Sequence, residues 1–519
     1  MNQPAPRFEM ALQQLFSGYA KTEAANVAVG DIKLDSRQVN PGDLFVALKG
    51  SELDGTAFIC SAIKRGAVAV AVDATQSAAV SDCAVPVVKV NNIEGCLGEL
   101  ADRFFQHPSR RLSVVGITGT NGKTSCCHYI AQSLQAVAVR CGVIGTLGWG
   151  TVGALESTGN TTPDVISVHR MLAHFVDEGC QVVVMEVSSH GLDQSRVNGV
   201  NFTTAVFTNL SRDHLDYHET MHQYGQSKRK LFEVPRLKNA VLNVDDNFGE
   251  QLYRDLQAQG AAGMQVVGFG INPESESAAQ VYASNIQFSD RGIRARISSP
   301  WGEGILNSPL LGRFNLSNLL AVFSVLCLQG ISMERALAVI AALQTAPGRM
   351  ERYSGPALPV VVVDYAHTPD ALMVALATLK ECCDGRVICV FGCGGERDQG
   401  KRAQMAKVAE RLSDQVIITN DNPRREDEQT IIDDIMAGIT QPLKTRICKE
   451  RGQAIQMAVD MAEANDMVLI AGKGHENYQE IGSARVAFCD AEQVKQALAL
   501  KAKAMKVRPI NESTPKDEP

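Results

Sequence analysis

The chain has 519 residues, 45% of them apolar and 21% charged, with a net charge of −7. That length exceeds what one hydrophobic core holds and predicts a globular protein of roughly two to four domains. The negative balance argues against non-specific nucleic-acid binding, no apolar run approaches the ~18 residues that cross a bilayer, and the opening MNQPAPRFEM lacks the basic and apolar regions of a secretory signal.

Fourteen cysteines occur singly or as the adjacent pairs Cys126-Cys127 and Cys382-Cys383, with no C-x-x-C. This is the pattern of reduced thiols in a cytoplasm, not of a disulfide frame or zinc ribbon. A cytoplasmic protein is expected, and nothing in the sequence demands more than a monomer.

Residues 1–108 read as a first α/β unit. The segment Asp31 to Arg37 leads into a Pro41-Gly42 turn and the apolar run Leu44 to Leu48, and strand-like runs return at Ala67 to Val72 and Val85 to Val90. His107-Pro108-Ser109 reads as a linker, because the residue before proline disfavours helix.

Residues 109–347 open on Ser113 to Ser125, S-V-V-G-I-T-G-T-N-G-K-T-S. An apolar run breaks into a glycine turn followed by lysine and hydroxyl, the composition of a phosphate cradle. Gly119 and Gly122 let backbone N–H groups approach phosphate without an intervening Cβ, and the following helix adds its positive end. Thr120, Asn121 and Ser125 complete the loop. Lys123 would reach the β/γ-phosphates of a nucleoside triphosphate and Thr124 would offer a hydroxyl to Mg²⁺. The loop is a shortened G-x-x-G-K-[TS], since Ile117 stands where the longer form has its first glycine.

Strands are predicted next at Val139 to Ile144, Gln181 to Ser188, Thr203 to Leu210 and Ala240 to Val244. Between the first two, Val165, Val168, Leu172, Phe175 and Val176 recur at helical spacing. This alternation predicts a mostly parallel sheet with both faces covered and ligands at the carboxyl ends of its strands. Glu186 ends one such strand and is a candidate Mg²⁺ ligand or, alternatively, a surface salt-bridge partner. His214, His218 and His222 share a spacing of four, but no recognisable acidic or cysteine ligands accompany them. One histidine near a Mg²⁺ site is the better reading, with His218 and His222 structural.

Lys228 is the most informative residue after the loop. On a helix from Thr220 to Phe232 it falls in the middle of the stripe formed by Met221, Tyr224, Leu231 and Phe232. An unpaired ammonium facing a packed interior is costly, so Lys228 must snorkel, pair with a carboxylate, or be modified. Residues 281–312 look antiparallel, helices follow at Asn315 to Leu328 and Met333 to Leu343, and Gly260 to Ser277 is polar without an assigned role.

A third unit, 348–504, carries predicted strands at Pro359 to Asp364, Arg386 to Phe391, Gln415 to Thr419 and Met467 to Ala471, each followed by a helical stretch. It reads as a Rossmann-like doubly wound domain, and residues 505–519 as a polar tail. The fold class is thus α/β in three domains, with a central P-loop domain.

Taken together, G-T-N-G-K-T-S, N-T-T-P at Asn160, M-E-V-S-S-H-G-L at Met185, N-L-S-R-D-H-L-D-Y-H and Y-G-Q-S-K resemble the Mur ligases, ATP-dependent amide-forming enzymes of peptidoglycan precursor synthesis. The resemblance continues through G-R-F-N-L-S-N at Gly312, P-G-R-M-E at Pro347, D-Y-A-H-T-P-D at Asp364, G-C-G-G-E-R-D at Gly392, D-N-P-R at Asp421 and G-K-G-H-E at Gly472. It implies an N-terminal domain for a UDP-sugar, a central ATPase domain and a C-terminal amino-acid domain.

Leu34, Ser36, Ser51, Glu52 and Leu53 would hold the uridine nucleotide. Asn160, Thr161, Thr162, Ser188, Gln194 and Arg196 would contact the muramoyl dipeptide. Glu186 and His214 look like Mg²⁺ ligands, and Lys228 matches the family's carbamylated lysine (N6-carboxylysine), whose anionic carbamate would join them. Asn315 and Asp364 fall in adenosine-contacting motifs and Arg349 in a neighbouring one.

Within the family, Arg424 of D-N-P-R points to 2,6-diaminopimelate as the incoming amine. Its planar fork suits the extra carboxylate that lysine lacks; the alternative is a surface arginine in a charged loop. Arg397, Asp421, Asn422, Pro423, Gly472 and Glu476 would complete that site, with Glu476 pairing an ammonium. Glu396 stands where the family more usually has Asp. Rival readings are the same chemistry with L-lysine, a folylpolyglutamate synthetase, and a nucleotide-binding protein without ligase activity.

Overall fold

The computed structural model describes residues 8–22, 24–50, 54–76, 83–260, 263–271 and 279–507. Ser51, Glu52 and Leu53 therefore lie outside the described residues, as does most of the polar C-terminal stretch. The chain divides into two units, one comprising 1–283, 298–303 and 317–339, the other 284–297, 304–316 and 340–519.

The first unit begins with a four-stranded parallel sheet, Asp31–Lys33, Asp43–Ala47, Ala69–Asp73 and Val87–Val90, adjacent in sequence order. Period-two alternation splits its core. Leu44 and Val46 pack with Leu97, Leu100 and Phe104 of the helix Ile93–Phe104, whereas Phe45 and Ala47 pack with Ile59 and Ala62. His107-Pro108-Ser109, where a linker is expected, forms an ordered corner. Pro108 opens a 3₁₀ turn over Pro108–Arg110, where its missing N–H costs nothing, and buried Ser109 Oγ accepts the Asn201 N–H at 3.0 Å.

The same unit then builds the sheet that carries the phosphate loop. Its parallel strands lie in the order Cys141–Gly145, Val182–Glu186, Ser113–Thr118, Phe202–Phe207, Asn239–Asn243 and Gln265–Gly270, with the hairpin Gly148–Thr151/Ala154–Glu156 on the first edge. All five residues of Val182–Glu186 are buried, as a strand covered on both faces requires. Gln265–Gly270 shows that the Gly260 to Ser277 stretch, given no element from sequence, contributes a strand: Val266, Val267 and Phe269 bury their side chains. The strand that opens at Ala279 begins parallel to Gln265–Gly270, with Gly268 opposite Ala279.

The helix expected from Thr220 to Phe232 is α-helical over Met221–Arg229 and tightens to a 3₁₀ turn at Lys230–Phe232. A capping box starts it, with the Thr220 side chain on the Gln223 N–H and the Gln223 side chain on the Thr220 N–H.

The second unit holds a six-stranded sheet in the order Glu351–Tyr353, Val360–Asp364, Met467–Ala471, Val387–Phe391, Gln415–Ile418, Thr445–Ile447, parallel except for its antiparallel first strand. Helices Pro369–Cys382, Gly400–Leu412 and Glu428–Met436 cover one face through Leu376, Met405 and Ile432. Helices Arg451–Met461 and Asp490–Val507 cover the other through Ile455, Val459 and Val494. This is the doubly wound arrangement read from the sequence. No described helix is long and apolar enough to cross a membrane.

Candidate active site

In the first unit the strand order brings the candidate residues together. Val182–Glu186 pairs directly with Ser113–Thr118, setting Glu186 opposite Ile117, two residues before the glycine turn. Gly119 and Gly122 adopt φ of 148° and 87°, and Gly122 caps the helix Lys123–Ala136. A Cβ on Gly119 would stand 1.9 Å from Thr208 Oγ1, and one on Gly122 2.5 Å from Asn318 Oδ1, so both positions demand glycine for space as well as conformation.

The loop is tied down by the segment after the next strand. The Thr120 N–H donates to Asn209 O at 2.8 Å, the Asn121 N–H to Asn209 Oδ1 at 2.9 Å, and Thr208 Oγ1 to Asn121 O at 2.6 Å. Lys123 Nζ curls back onto Gly119 O (2.7 Å) and Thr120 O (2.8 Å), which places its ammonium at the mouth of the turn.

Glu186 is 2% exposed, which removes the surface salt-bridge alternative. Its Oε2 accepts from Thr124 Oγ1 at 2.9 Å and its Oε1 from the Thr146 N–H at 2.8 Å. The loop hydroxyl and the strand-end carboxylate thus form one pair of hard oxygen donors. Beneath them Thr162 Oγ1 donates to Glu186 O and accepts the Ser188 N–H, both at 3.0 Å. Arg196 reaches Thr162 O at 2.8 Å and Gln194 Oε1 at 2.6 Å. Thr161 meets Thr146 Oγ1 at 2.9 Å, while Asn160 is exposed. Thr161, Thr162, Ser188, Gln194 and Arg196 are therefore one hydrogen-bonded shelf beside Glu186.

Lys228 is 1% exposed, as its position on the helical stripe predicted. Among the described residues its ammonium has no carboxylate or hydrogen-bond partner; it lies 4.1 Å from the centroid of the Tyr224 ring. Burial pushes its pKa well below the ordinary lysine value, and the charge of Lys123 pushes the same way. Neither snorkelling nor ion pairing describes it, whereas its neighbours Arg229 and Lys230 pair with Asp255 and Asp193. Tyr224, not singled out from the sequence, links this helix to the loop through a 3.2 Å contact between its hydroxyl and Thr120 Oγ1.

His214 sits at φ 52° ahead of the short helix Leu215–His218, half exposed, its ring edge-on to His190 at 4.8 Å. His218 is buried against His190 and Tyr217, and burial lowers its pKa. Ser36 is buried in the 3₁₀ turn capped by Asp35, next to half-buried Leu34.

In the second unit the candidates gather at the carboxyl ends of the parallel strands. Asp364 ends its strand and accepts the Met350 N–H at 2.8 Å; burial raises its pKa against the opposing effect of Arg349. The Arg349 guanidinium lies 4.8 Å from the Tyr365 ring centroid, and Asn315 is buried with its Nδ2 on Leu311 O.

Gly472, at φ 120°, follows Met467–Ala471, and a Cβ there would stand 2.5 Å from Asp421 Oδ2. Asn422 Nδ2 donates to Glu476 Oε2 at 2.9 Å, and Lys473 Nζ to the same oxygen at 2.8 Å, so the ammonium paired with Glu476 belongs to the protein itself. Pro423 is buried and Arg397 exposed.

Arg424 is not the loosely held surface arginine of the alternative reading. Its Nε donates to Glu480 Oε2 and its Nη1 to Gly395 O, both at 2.9 Å. Its backbone sits at φ 54°, clamped by Arg424 N–H to Glu480 O and Gly482 N–H to Arg424 O. A left-handed non-glycine residue costs of order 1 kcal/mol and persists where its surroundings over-determine it. Arg451, fully buried with Asp490, reaches Ala471 O at 3.0 Å, just before Gly472.

A cavity of about 410 Å³ lies elsewhere, lined by Phe8, Asp31, Phe105, Trp149 and Arg170 among others, and contains none of these residues.

Three family models match consecutive stretches: Mur ligase family, catalytic domain over residues 29–105, Mur ligase middle domain over 117–326, and Mur ligase, glutamate ligase domain over 348–474. The UDP-N-acetylmuramoyl-L-alanyl-D-glutamate–2,6-diaminopimelate ligase of Coxiella burnetii (strain RSA 493 / Nine Mile phase I) is 47% identical over 488 residues, 94% of this chain and 99% of the relative. The chain belongs to the Mur ligase family.

The enzyme of the same description from Ectopseudomonas mendocina (strain ymp) is 48% identical over 475 residues, 92% of this chain and 96% of that one. A solved structure of a UDP-N-acetylmuramoyl-L-alanyl-D-glutamate–2,6-diaminopimelate ligase superposes with a TM-score of 0.73 at 34% identity, covering 95% of this chain and 99% of that chain. As a Mur ligase the protein is an ATP-dependent enzyme that forms amide bonds.

Proposed function

We propose that this Mur ligase joins meso-2,6-diaminopimelate to the D-glutamate γ-carboxylate of UDP-N-acetylmuramoyl-L-alanyl-D-glutamate, with cleavage of ATP, in peptidoglycan precursor synthesis. The likeness over 94% of the chain to a relative bearing that description carries the reading. Arg424, backed by Glu480, supplies its chemistry. Residues 1–108 would serve the UDP-sugar, 109–347 ATP, and 348–504 the amino acid.

ATP phosphates suit the Gly119–Ser125 loop, where two glycines leave room that any Cβ would fill. Arg349 Nε and His475 Nδ1 are buried without a hydrogen-bond partner among the described residues, in a unit whose Asp364, Asn315 and Arg349 would take the nucleoside. Thr124 Oγ1 and Glu186 Oε2 are the oxygen donors that Mg²⁺ prefers, and His214 and a carbamylated Lys228 would complete its ligands. Bound there, Mg²⁺ would neutralise phosphate charge.

The γ-carboxylate would attack the γ-phosphorus of ATP, releasing ADP and leaving an acyl phosphate. The diaminopimelate amine would then attack the acyl carbon, and phosphate would leave from the tetrahedral intermediate. Lys123 contributes charge at the phosphates, and the Thr162–Ser188–Arg196 shelf holds the dipeptide in line; the chemistry is mostly positioning and electrostatics.

An amino-acid panel tests this, with ATP and the UDP-dipeptide present. ADP release is expected only when both the dipeptide and diaminopimelate are supplied. Equal turnover with L-lysine would reassign the amine, and ADP release without either acceptor would overturn the ligase reading.

A further inference from the structure

We infer that Lys473 is a positioning residue for selection of the incoming amine, a role that rests on the reading of the second unit's site as the amino-acid pocket. Its side chain is 0% exposed, yet it is a cation. Nζ donates to Glu476 Oε2 at 2.8 Å and to Asn422 Oδ1 at 2.9 Å, while Asn422 Nδ2 donates to the same Glu476 oxygen at 2.9 Å. Lysine, asparagine and glutamate thus close a triangle.

That triangle joins two segments about fifty residues apart in sequence. Asn422 Oδ1 also accepts the Glu480 N–H at 3.0 Å, and Glu480 in turn holds Arg424 by its carboxylate and its carbonyl. Gln479 Nε2 reaches Asp421 O at 2.7 Å. Asn422 is thus bonded directly to the turn that carries Lys473, while Asp421 and Arg424 are held by Gln479 and Glu480 of the strand Tyr478–Ile481 that follows it.

Two consequences follow from the chemistry of the donor. An ammonium has no acceptor capacity, so it forces the Asn422 amide oxygen toward itself and its NH₂ group toward Glu476. Lys473 also fixes Glu476 through Oε2, and Oε1 has no hydrogen bond among the described residues, which leaves that oxygen to meet a ligand ammonium. Without the cation the carboxylate would be half-buried with one neutral donor, and the amide could turn over. Lys473 thus acts through Asn422 and Glu476 without touching the substrate.

The test compares the wild-type chain with Lys473→Met under saturating ATP and UDP-dipeptide, varying diaminopimelate. Losing a charge-assisted hydrogen bond at a recognition group costs about ten- to a hundred-fold. The KM for diaminopimelate should rise by about that factor while the KM for ATP stays unchanged, and the preference for diaminopimelate over lysine should shrink. A lower melting temperature with every KM unchanged would make Lys473 merely structural and overturn the inference.

If Lys473→Met does not fold, Glu476→Gln is compared with the charge-neutral double variant Lys473→Met/Glu476→Gln. Acting through Glu476, the lysine should add less than about three-fold in the double variant (under 1 kcal/mol); fully additive losses would overturn the role. Wild-type protein that releases no ADP on addition of diaminopimelate would instead reject the pocket reading itself.

Discussion

The two candidate sites of this Mur ligase treat buried positive charge in opposite ways. In the first unit Lys228 is enclosed against an aromatic ring, with no ion pair or hydrogen bond among the described residues, and burial depresses its pKa. In the second unit the enclosed cations are already matched: Lys473 with Glu476, Arg402 with Glu426 and Asp434, Arg451 with Asp490. An unmatched lysine with its pKa pushed down spends more time as a free amine, the form that reacts with CO₂ to give a carbamate. Matched cations hold still, which suits recognition of an amino acid by shape and charge. The first arrangement favours chemistry and the second selection.

Removing the unmatched cation is expected to have the largest effect. Lys228→Ala should lower kcat on the order of a hundred-fold or more, with partial recovery when a short carboxylate is added to stand in for the proposed carbamate. Near-wild-type turnover of that variant would mean that Lys228 is only a packed side chain, and the contrast would collapse.

In the matched site, Arg424→Ala should mainly erode the preference for diaminopimelate over lysine. A charged hydrogen bond contributes about 1.5–3 kcal/mol, or roughly ten- to a hundred-fold in kcat/KM. Its effect should appear in the amine KM, measured with both amino acids in parallel.

The smallest effect concerns stability. Glu426 accepts both Arg402 Nη groups at 2.7 and 2.8 Å, and this pairing pulls its pKa from 4.5 down to about 2. A depressed carboxylate stabilises the fold above its unfolded pKa and loses that contribution as pH falls through its folded one. Glu426→Gln should therefore lower Tm by a few degrees at neutral pH, 1 kcal/mol being about 2–4 °C in a domain of this size. The gap from wild type should close between pH 4.5 and 2. A gap that stays constant over that range would show that the pair's charge is unimportant.

Much of the first site was legible because its signals are local. The phosphate loop is contiguous, Glu186 ends an apolar run, and the helical period alone placed Lys228 inside. The helix around Lys228 could be read because α-helical spacing repeats within a dozen residues. The second site was only half legible. Its motifs were visible, but Lys473 and Glu480 were passed over because their partners, Asn422 and Arg424, lie 51 and 56 residues away. The tie from Tyr224 to Thr120 is hidden from the sequence for the same reason, since it spans 104 residues. The Gln265–Gly270 strand is masked by its polar surroundings, and the order of the Pro108 corner depends on a bond to the backbone of Asn201 that the local sequence does not show.

By itself the sequence determined the α/β class, the run of parallel strands, the phosphate-binding turn and the burial of one lysine. These depend on residue periodicity and on the conformations open to glycine, which act over a few neighbours. Only the tertiary structure decided that Glu186 faces Thr124, that Lys228 lies over the Tyr224 ring without an ion pair among the described residues, and that Arg424 is held by Glu480. Those outcomes depend on strand order and on which polar groups become enclosed together. A charge buried from water takes its character from whatever shares the enclosure, and the chain order does not state what that is.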